Sequence, residues 1–404
     1  MRAGRIAPTA WLLISARFVR SVWQGALVVD FALYLRALGW SGVQISWVLA
    51  AALLLGAALT MVLGPLSDRL GRRRFLLGYD LLQGAAAAVA FATTAPLPLA
   101  AAAIVGGFGR GGNGAAGPFS PVEQAWLAQC VPAAERGPFY SLNAALGFLG
   151  MAAGALVAGL PGWMAGTVPP ASAYRPLFAL TAGLSLVAFV LLAAGRDVKD
   201  TASPRSSARE PADMTERRRE NALIWRLVVA NALNGAGLGL SGPLLTYWFS
   251  LRFHHGPGSL GPMIAAGFVL AAGGSLFARW LTRRIGMVRA VVAMRTAGLL
   301  MLLVLPFATS FAVASVLYIA RTVLNRGTSG PRSALSIGLV RPSRRGFSAA
   351  SANVAVQIPR SIGPVLAGIC YDAGWFSEPF VAAALFQAAY VWLYDRSFRN
   401  ITTQ

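Results

Sequence analysis

The chain's 404 residues are 56% hydrophobic and 12% charged, with a mean hydropathy of +0.60. A soluble globule of this length is excluded, because such proteins carry about a quarter of their residues as charges. The formal net charge of +21 raises nucleic acid as a partner. Most basic residues, however, gather between apolar runs: at the N-terminus, 64–74, Arg136, 196–226, 279–289, 341–345 and the C-terminus. That distribution is a membrane-topology signal and not a nucleic-acid footprint.

Crossing a bilayer core takes about 20 apolar residues. The apolar runs predict twelve membrane helices, over 11–36, 44–66, 75–95, 98–128, 138–160, 175–194, 222–250, 259–281, 288–306, 311–338, 347–371 and 377–395. Only Arg36, Arg175 and Arg252 fall in the loops opposite the basic ones, so both termini are expected in the cytoplasm; an even number of crossings requires the same. The first run is no cleavable signal, because Arg17 and Arg20 interrupt it. The expected fold class is an all-α integral membrane protein, multi-pass in a cell inner membrane. Cys130 and Cys370 fall near opposite faces in this topology, so no disulfide is expected. No metal-ligand spacing or nucleophile–base pair stands out, so neither a cofactor nor an enzyme is expected.

A charge inside a bilayer costs a few kcal/mol, so each one needs a partner, water or a function. In the first span Arg20 and Gln24 share a face, Trp23 and Tyr34 offer aromatic walls, and Asp30 is the one acid placed well inside any span. Arg17 in that span and Arg295 in the ninth are expected to snorkel to the membrane surface.

The next segment carries the most information. Gly64-Pro65-Leu66-Ser67-Asp68-Arg69-Leu70-Gly71-Arg72-Arg73-Arg74 joins two spans. It resembles the signature loop of the major facilitator superfamily, roughly G-x-x-x-D-R-x-G-R-(R/K); a generic basic loop would not need the Gly64/Asp68/Gly71 spacing. The resemblance implies two six-helix halves that rock against each other. It makes Gly64, Asp68, Arg69, Gly71, Arg72 and Arg73 a conformational switch, with Asp68 helping to latch the halves and the arginines fixing the loop.

In the fourth span, Arg110-Gly111-Gly112-Asn113-Gly114 resembles the family's R-x-x-Q-G motif, with Asn for Gln. That motif is associated with proton-coupled members, which gives Arg110 and Asn113 a proton-coupling role. A structural arginine bonded to carbonyls of a neighbouring helix is the other reading. A carboxylate withdrawn from water takes up a proton more readily, and a nearby arginine opposes this. Asp30 is therefore read either as the proton carrier, moderated by Arg110 or Arg20, or as a plain ion pair with Arg36 at the outer mouth. Glu123, in the same span as Arg110, is placed close enough to the cytoplasm to reach water.

Small residues at Gly147, Gly150, Gly154 and Gly159 in the fifth span, and Gly363 and Gly368 in the eleventh, suit close helix contact. Pro359 and Pro364 are expected to bend the eleventh span. The halves read as weak repeats. Gly154 and Gly159 precede Gly363 and Gly368 by a common 209 residues, and Gly117-Pro118 is echoed by Gly330-Pro331. The loop itself recurs, decayed, at 281–289 with Arg283 in place of Asp68. Residues 196–220 are polar and read as a cytoplasmic linker, dividing the chain into bundles 1–195 and 221–404.

In the family, the first, fourth, seventh and tenth helices line the cavity. Polar stripes fall there: Arg20, Gln24 and Tyr34; Asn231, Asn234 and Tyr247; Arg321 and Asn325. Gln357 and Arg360 add a stripe on the eleventh. The function expected is proton-coupled secondary transport, more an exporter than an importer, of a small organic molecule, resembling the drug/proton antiporter branch. Its partners are the solute, protons and the bilayer, with a monomer as the family expectation. The fifth span has the glycines but lacks the Gly-Pro signature common in antiporters, and Gly363-Pro364 in the eleventh resembles that signature moved to the second half. The arginine excess makes an importer or exchanger of organic anions the alternative, and a non-transporting receptor or assembly subunit the alternative of another class.

Overall fold

The structure, a computed structural model, describes residues 6–110, 117, 120–132, 135–164, 166–195, 214–338, 341 and 344–399. Side chains at 63–65, 68–70, 214–217, 219, 272, 334, 336–338, 345–347 and 349 also lie outside the description. Among the described residues the architecture is helical. The first stretch runs α1 (Pro8–Ala37), α2 (Gly42–Leu70), α3 (Arg72–Ala92), α4 (Pro96–Gly106), α5 (Ser120–Cys130), α6 (Arg136–Val157), α7 (Leu160–Trp163) and α8 (Arg175–Ala194). The second runs α9 (Met214–Ser241), α10 (Leu245–Phe253), α11 (Pro257–Ile285), α12 (Met287–Val304), α13 (Phe311–Gly327), α14 (Ser329–Gly338), α15 (Arg345–Asp372) and α16 (Glu378–Phe398). Nine helical stretches among the described residues are long and apolar enough to cross a bilayer.

Three predicted spans are interrupted. The run 98–128 becomes α4 and α5, because Gly107 (φ 64°) and Gly109 (φ 74°) adopt left-handed conformations that end α4. The run 222–250 divides into α9 and α10 at Gly242-Pro243, where proline withholds the amide a continuing helix needs. The run 311–338 divides at Thr328 into α13 and α14. In the eleventh span, by contrast, α15 stays helical through Pro359 and Pro364.

Contacts group the chain into two compact units, residues 1–200 with 243–269 and residues 201–242 with 270–404. In the first, α1 lies against α6 and α8, and α3 against α8. Glycines allow the closest approach: a Cβ at Gly154 would run into the Val22 carbonyl, and one at Gly25 into Met151. Leu13, Leu76, Trp126, Phe139 and Leu192 form the apolar core. In the second unit α9 lies against α15 and α16. There a Cβ at Gly239 would strike the backbone of Arg360, and one at Gly363 that of Gly239. Tyr390, Tyr394 and Phe398 of α16 pack with Leu227 and Val291. The repeat is visible in the backbone as well. Gly71 and Gly286 precede α3 and α12 with φ of 97° and 87°.

Candidate functional site

In the first unit the buried charge centre is Arg20 of α1. Its Nη1 donates to Glu123 Oε2 at 2.9 Å, and its Nε lies 3.4 Å from Asp80 Oδ1. Asn143 Nδ2 of α6 donates to Glu123 Oε1 at 3.3 Å. Arg20, Asp80 and Glu123 are each no more than 3% exposed. Arg17 is buried one turn earlier, within electrostatic reach of Glu123. Two cations and two carboxylates thus balance in the interior, which offsets the cost of removing each from water. A cavity of about 340 Å³, lined in part by Arg17, Asn143 and Tyr140, adjoins this centre.

Several sequence expectations change here. Asp30 is not the one acid within a span: Asp80, nine residues into α3, is 1% exposed. Glu123 and Arg17 are buried rather than extended to the surface, Arg17 lining the cavity and lying within electrostatic reach of Glu123. Asp80 stands in the sequence three residues before Gln83 in a leucine- and alanine-rich run inside the predicted span 75–95, but is not among the expected site residues.

Asp30 is 1% exposed, and among the described residues neither carboxylate oxygen has a hydrogen-bond partner. Each arginine considered as its partner is engaged elsewhere. Arg20 holds Asp80 and Glu123. Arg36 donates to Ser250 Oγ at 2.6 Å and lies 5.8 Å from the centre of the Tyr247 ring. Arg110 donates to Ala52 O of α2 at 3.1 Å and to Gly107 O at 3.3 Å. Glycine makes room for that guanidinium, since a Cβ at Gly56 or Gly107 would collide with it. Asp30 instead lies within electrostatic reach of Tyr174, one of the aromatic groups around Tyr34; Tyr34 meets Phe178 at 5.0 Å and Tyr174 at 5.8 Å. A cavity of about 360 Å³ is lined by Arg36, Tyr174, Ser250 and His255. Gln24 is buried beside Gly117.

Of the signature loop, Gly71 takes its positive φ between α2 and α3, with its amide on Ser67 O at 3.0 Å. Arg72 donates to Ala125 O of α5 at 3.0 Å, and Arg73 bonds the Leu192 and Ala193 carbonyls that end α8. The side chains of Gly64, Asp68 and Arg69 lie outside the described residues, as does all of Asn113.

The second unit holds arginines of a different kind. Arg295 of α12 is buried, not snorkelling: its Nε donates to Thr328 Oγ1 at 3.0 Å and its Nη1 to Asn234 Oδ1 at 3.2 Å. Gln387 of α16 also donates to Asn234. Arg332 donates to Asn231 Oδ1 at 2.9 Å, and Arg295 and Arg332 lie 5.5 and 5.4 Å from the centre of one ring, Tyr390. Arg321 of α13 donates to Ser241 Oγ at 3.1 Å, while among the described residues its Nε and the Nε of buried Arg360 have no partner. Asn325 is half-buried against Gly298, and Gln357 is half-buried on α15. The acceptors described for Arg295, Arg321 and Arg332 are amides, hydroxyls and an aromatic face. The sequence explains why: no aspartate or glutamate occurs between residues 221 and 371. The unit's buried carboxylate, Glu220, is held instead by Arg341 at 2.9 Å and Arg344 at 3.0 Å.

The two units are thus chemically unlike at equivalent places. Asp80 precedes Arg295 by 215 residues, the same interval that separates Gly71 from Gly286. A carboxylate that meets an arginine in one repeat is replaced in the other by an arginine that meets an amide.

Interrupted helices, glycine-mediated contacts and buried charges in apolar helices together describe a polytopic membrane protein. Residues 12–364 match the model of the Major Facilitator Superfamily, and the chain belongs to that family. It is 22% identical over 392 residues to an uncharacterized membrane protein of Saccharomyces cerevisiae, covering 89% of this chain and 87% of that protein. Among solved structures it is similar to a bacterial homolog of the human lysosomal transporter Spinster (TM-score 0.73, 13% identity, 97% of each chain). It is likewise similar to a D-xylose–proton symporter (TM-score 0.72, 15% identity, 98% of each chain). At these identities the structures establish the shared transporter fold.

Proposed function

We propose that the chain is a proton-coupled secondary transporter that exports a small organic molecule by alternating access. It works as a monomer in a cell inner (plasma) membrane, with bundles 1–195 and 221–404 joined by 196–220 and both termini in the cytoplasm. The carrying observation is Asp30, buried with no donor to either oxygen among the described residues. A charged carboxylate in that setting is costly, so the group is suited to trade its charge for a proton as its surroundings change. Arg110 and Asn113 adjust that exchange from the fourth predicted span. Arg20, Gln24, Tyr34, Asn231, Asn234, Tyr247, Arg321, Asn325, Gln357 and Arg360 supply the solute path, and the 64–73 segment is the switch. The likeness to a proton symporter supports the coupling, and the antiporter-like loop supports the outward direction.

Reconstitution in liposomes under an imposed pH gradient tests this, with a panel of cationic dyes, organic phosphates and carboxylates. Asp30→Asn should lose gradient-driven movement while keeping solute exchange at equal pH. Gradient-driven transport at the wild-type rate in Asp30→Asn would overturn the carrier role. One observation favours the second reading, an importer or exchanger of organic anions: the buried arginines of a 151-residue stretch without any carboxylate.

A further inference from the structure

We propose that Arg295, Arg321 and Arg332 form an oxyanion site that takes the carboxylate or phosphate group of the transported solute, an inference that rests on the transporter reading above. Three features converge. Arg295 lies within electrostatic reach of both Arg321 and Arg332, and every acceptor described for the three is a neutral amide or hydroxyl. Like charges in a low-dielectric interior repel strongly unless an anion joins them. The chain supplies none from within 221–371.

Donors also remain unspent. A guanidinium offers five N–H groups in a planar fork, and the Nε of Arg321 has no partner. Among the described residues the hydroxyls of Tyr390 and Tyr394, both buried beside Arg295 and Arg332, have no hydrogen-bond partner either. A carboxylate or phosphate accepts several such donors at once and matches the guanidinium fork bidentately. Arg332 is only half-buried, which leaves the cluster accessible on that side.

The first repeat shows what an internally satisfied version looks like. At the position equivalent to Arg295 it carries Asp80, which pairs with Arg20. The second repeat has an arginine at that position, and the buried Glu220 of the same unit is already taken by Arg341 and Arg344, so the proposed balancing charge is an anion from outside the chain. A purely structural arginine network, held by amides and the Tyr390 ring, makes the opposite prediction in the experiment below.

The full-length protein, purified in detergent, is titrated with inorganic phosphate and with malonate while its unfolding temperature is read, against sodium chloride at matched ionic strength. Phosphate or malonate should raise the unfolding temperature saturably. Arg295→Gln and Arg321→Gln should each weaken the apparent affinity at least tenfold, measured against each variant's own ligand-free baseline. Arg295→Lys, which keeps the charge and guards against loss of folding, should retain part of the response. Arg399→Gln, at an exposed ion pair with Asp395, should retain all of it. No response beyond that of chloride, or unchanged affinity in both glutamine variants, overturns the site. Binding of phosphate without exchange of any phosphate or carboxylate solute in liposomes overturns its role in substrate recognition. The transporter reading fails separately, if no solute on the panel moves while anion binding persists.

Discussion

At the level of single residues, burial decides which charges matter. Arg20 serves two carboxylates at once, so Arg20→Ala should strand both and cost about 3–5 kcal/mol of stability. Removing charge in balance, as Arg20→Ala with Asp80→Asn and Glu123→Gln, should recover much of that loss. Thermal unfolding in detergent checks this, and a triple variant no more stable than the single one would argue against the ion-pair account. Arg110 depends on the absence of a side chain. Gly56→Ala should displace its guanidinium from the Ala52 carbonyl and cost about 1–3 kcal/mol. Gly78→Ala, where a Cβ meets nothing within 4 Å, should be neutral or gain up to about 1 kcal/mol. Equal effects at the two glycines would refute the packing argument.

At the level of helices, the glycine seams carry the packing of each unit. Gly154→Ala pushes a methyl into the Val22 carbonyl, and Gly363→Ala into the backbone of Gly239. Each should lower both the unfolding temperature and the transport rate, whereas Gly183→Ala, facing open space, should leave both near wild type. Fluorescence-detected unfolding and liposome uptake decide it. The sequence was informative about these elements to an uneven degree. Spans such as 175–194 were legible because apolar length alone defines them, and α8 begins and ends there. The break after Gly106 was not, because it depends on left-handed backbone at Gly107 and Gly109, which a run of apolar letters conceals. Asp30 was legible as a lone acid. Its lack of any partner was not, because that depends on where Arg20, Arg36 and Arg110 point in three dimensions. Asp80 and Tyr390 were missed because their importance comes from the arginines that the fold brings to them, Arg20 in one case and Arg295 and Arg332 in the other.

At the level of the molecule, the family assignment fixes a transporter fold, and topology becomes a measurable property. Tags at both ends should resist protease in right-side-out vesicles and be cut once the membrane is permeabilised; cleavage at either end in intact vesicles would reverse the proposed orientation. The placement of the arginines bears also on how the chain is made. Arg295, Arg321 and Arg360 each lie within two residues of the middle of their helices, α12, α13 and α15. An arginine at mid-helix adds about 2.5–3.5 kcal/mol to translocon insertion, against only about 0.3–0.6 kcal/mol gained per Leu, Ile, Phe or Val. For α13, with about seven such residues and Arg326 besides, the sum does not favour entry alone. On that arithmetic α13 is expected to enter the bilayer together with the helices that carry the acceptors of its arginine, and isolated α13 fused to an insertion reporter should fail to integrate where the full chain does.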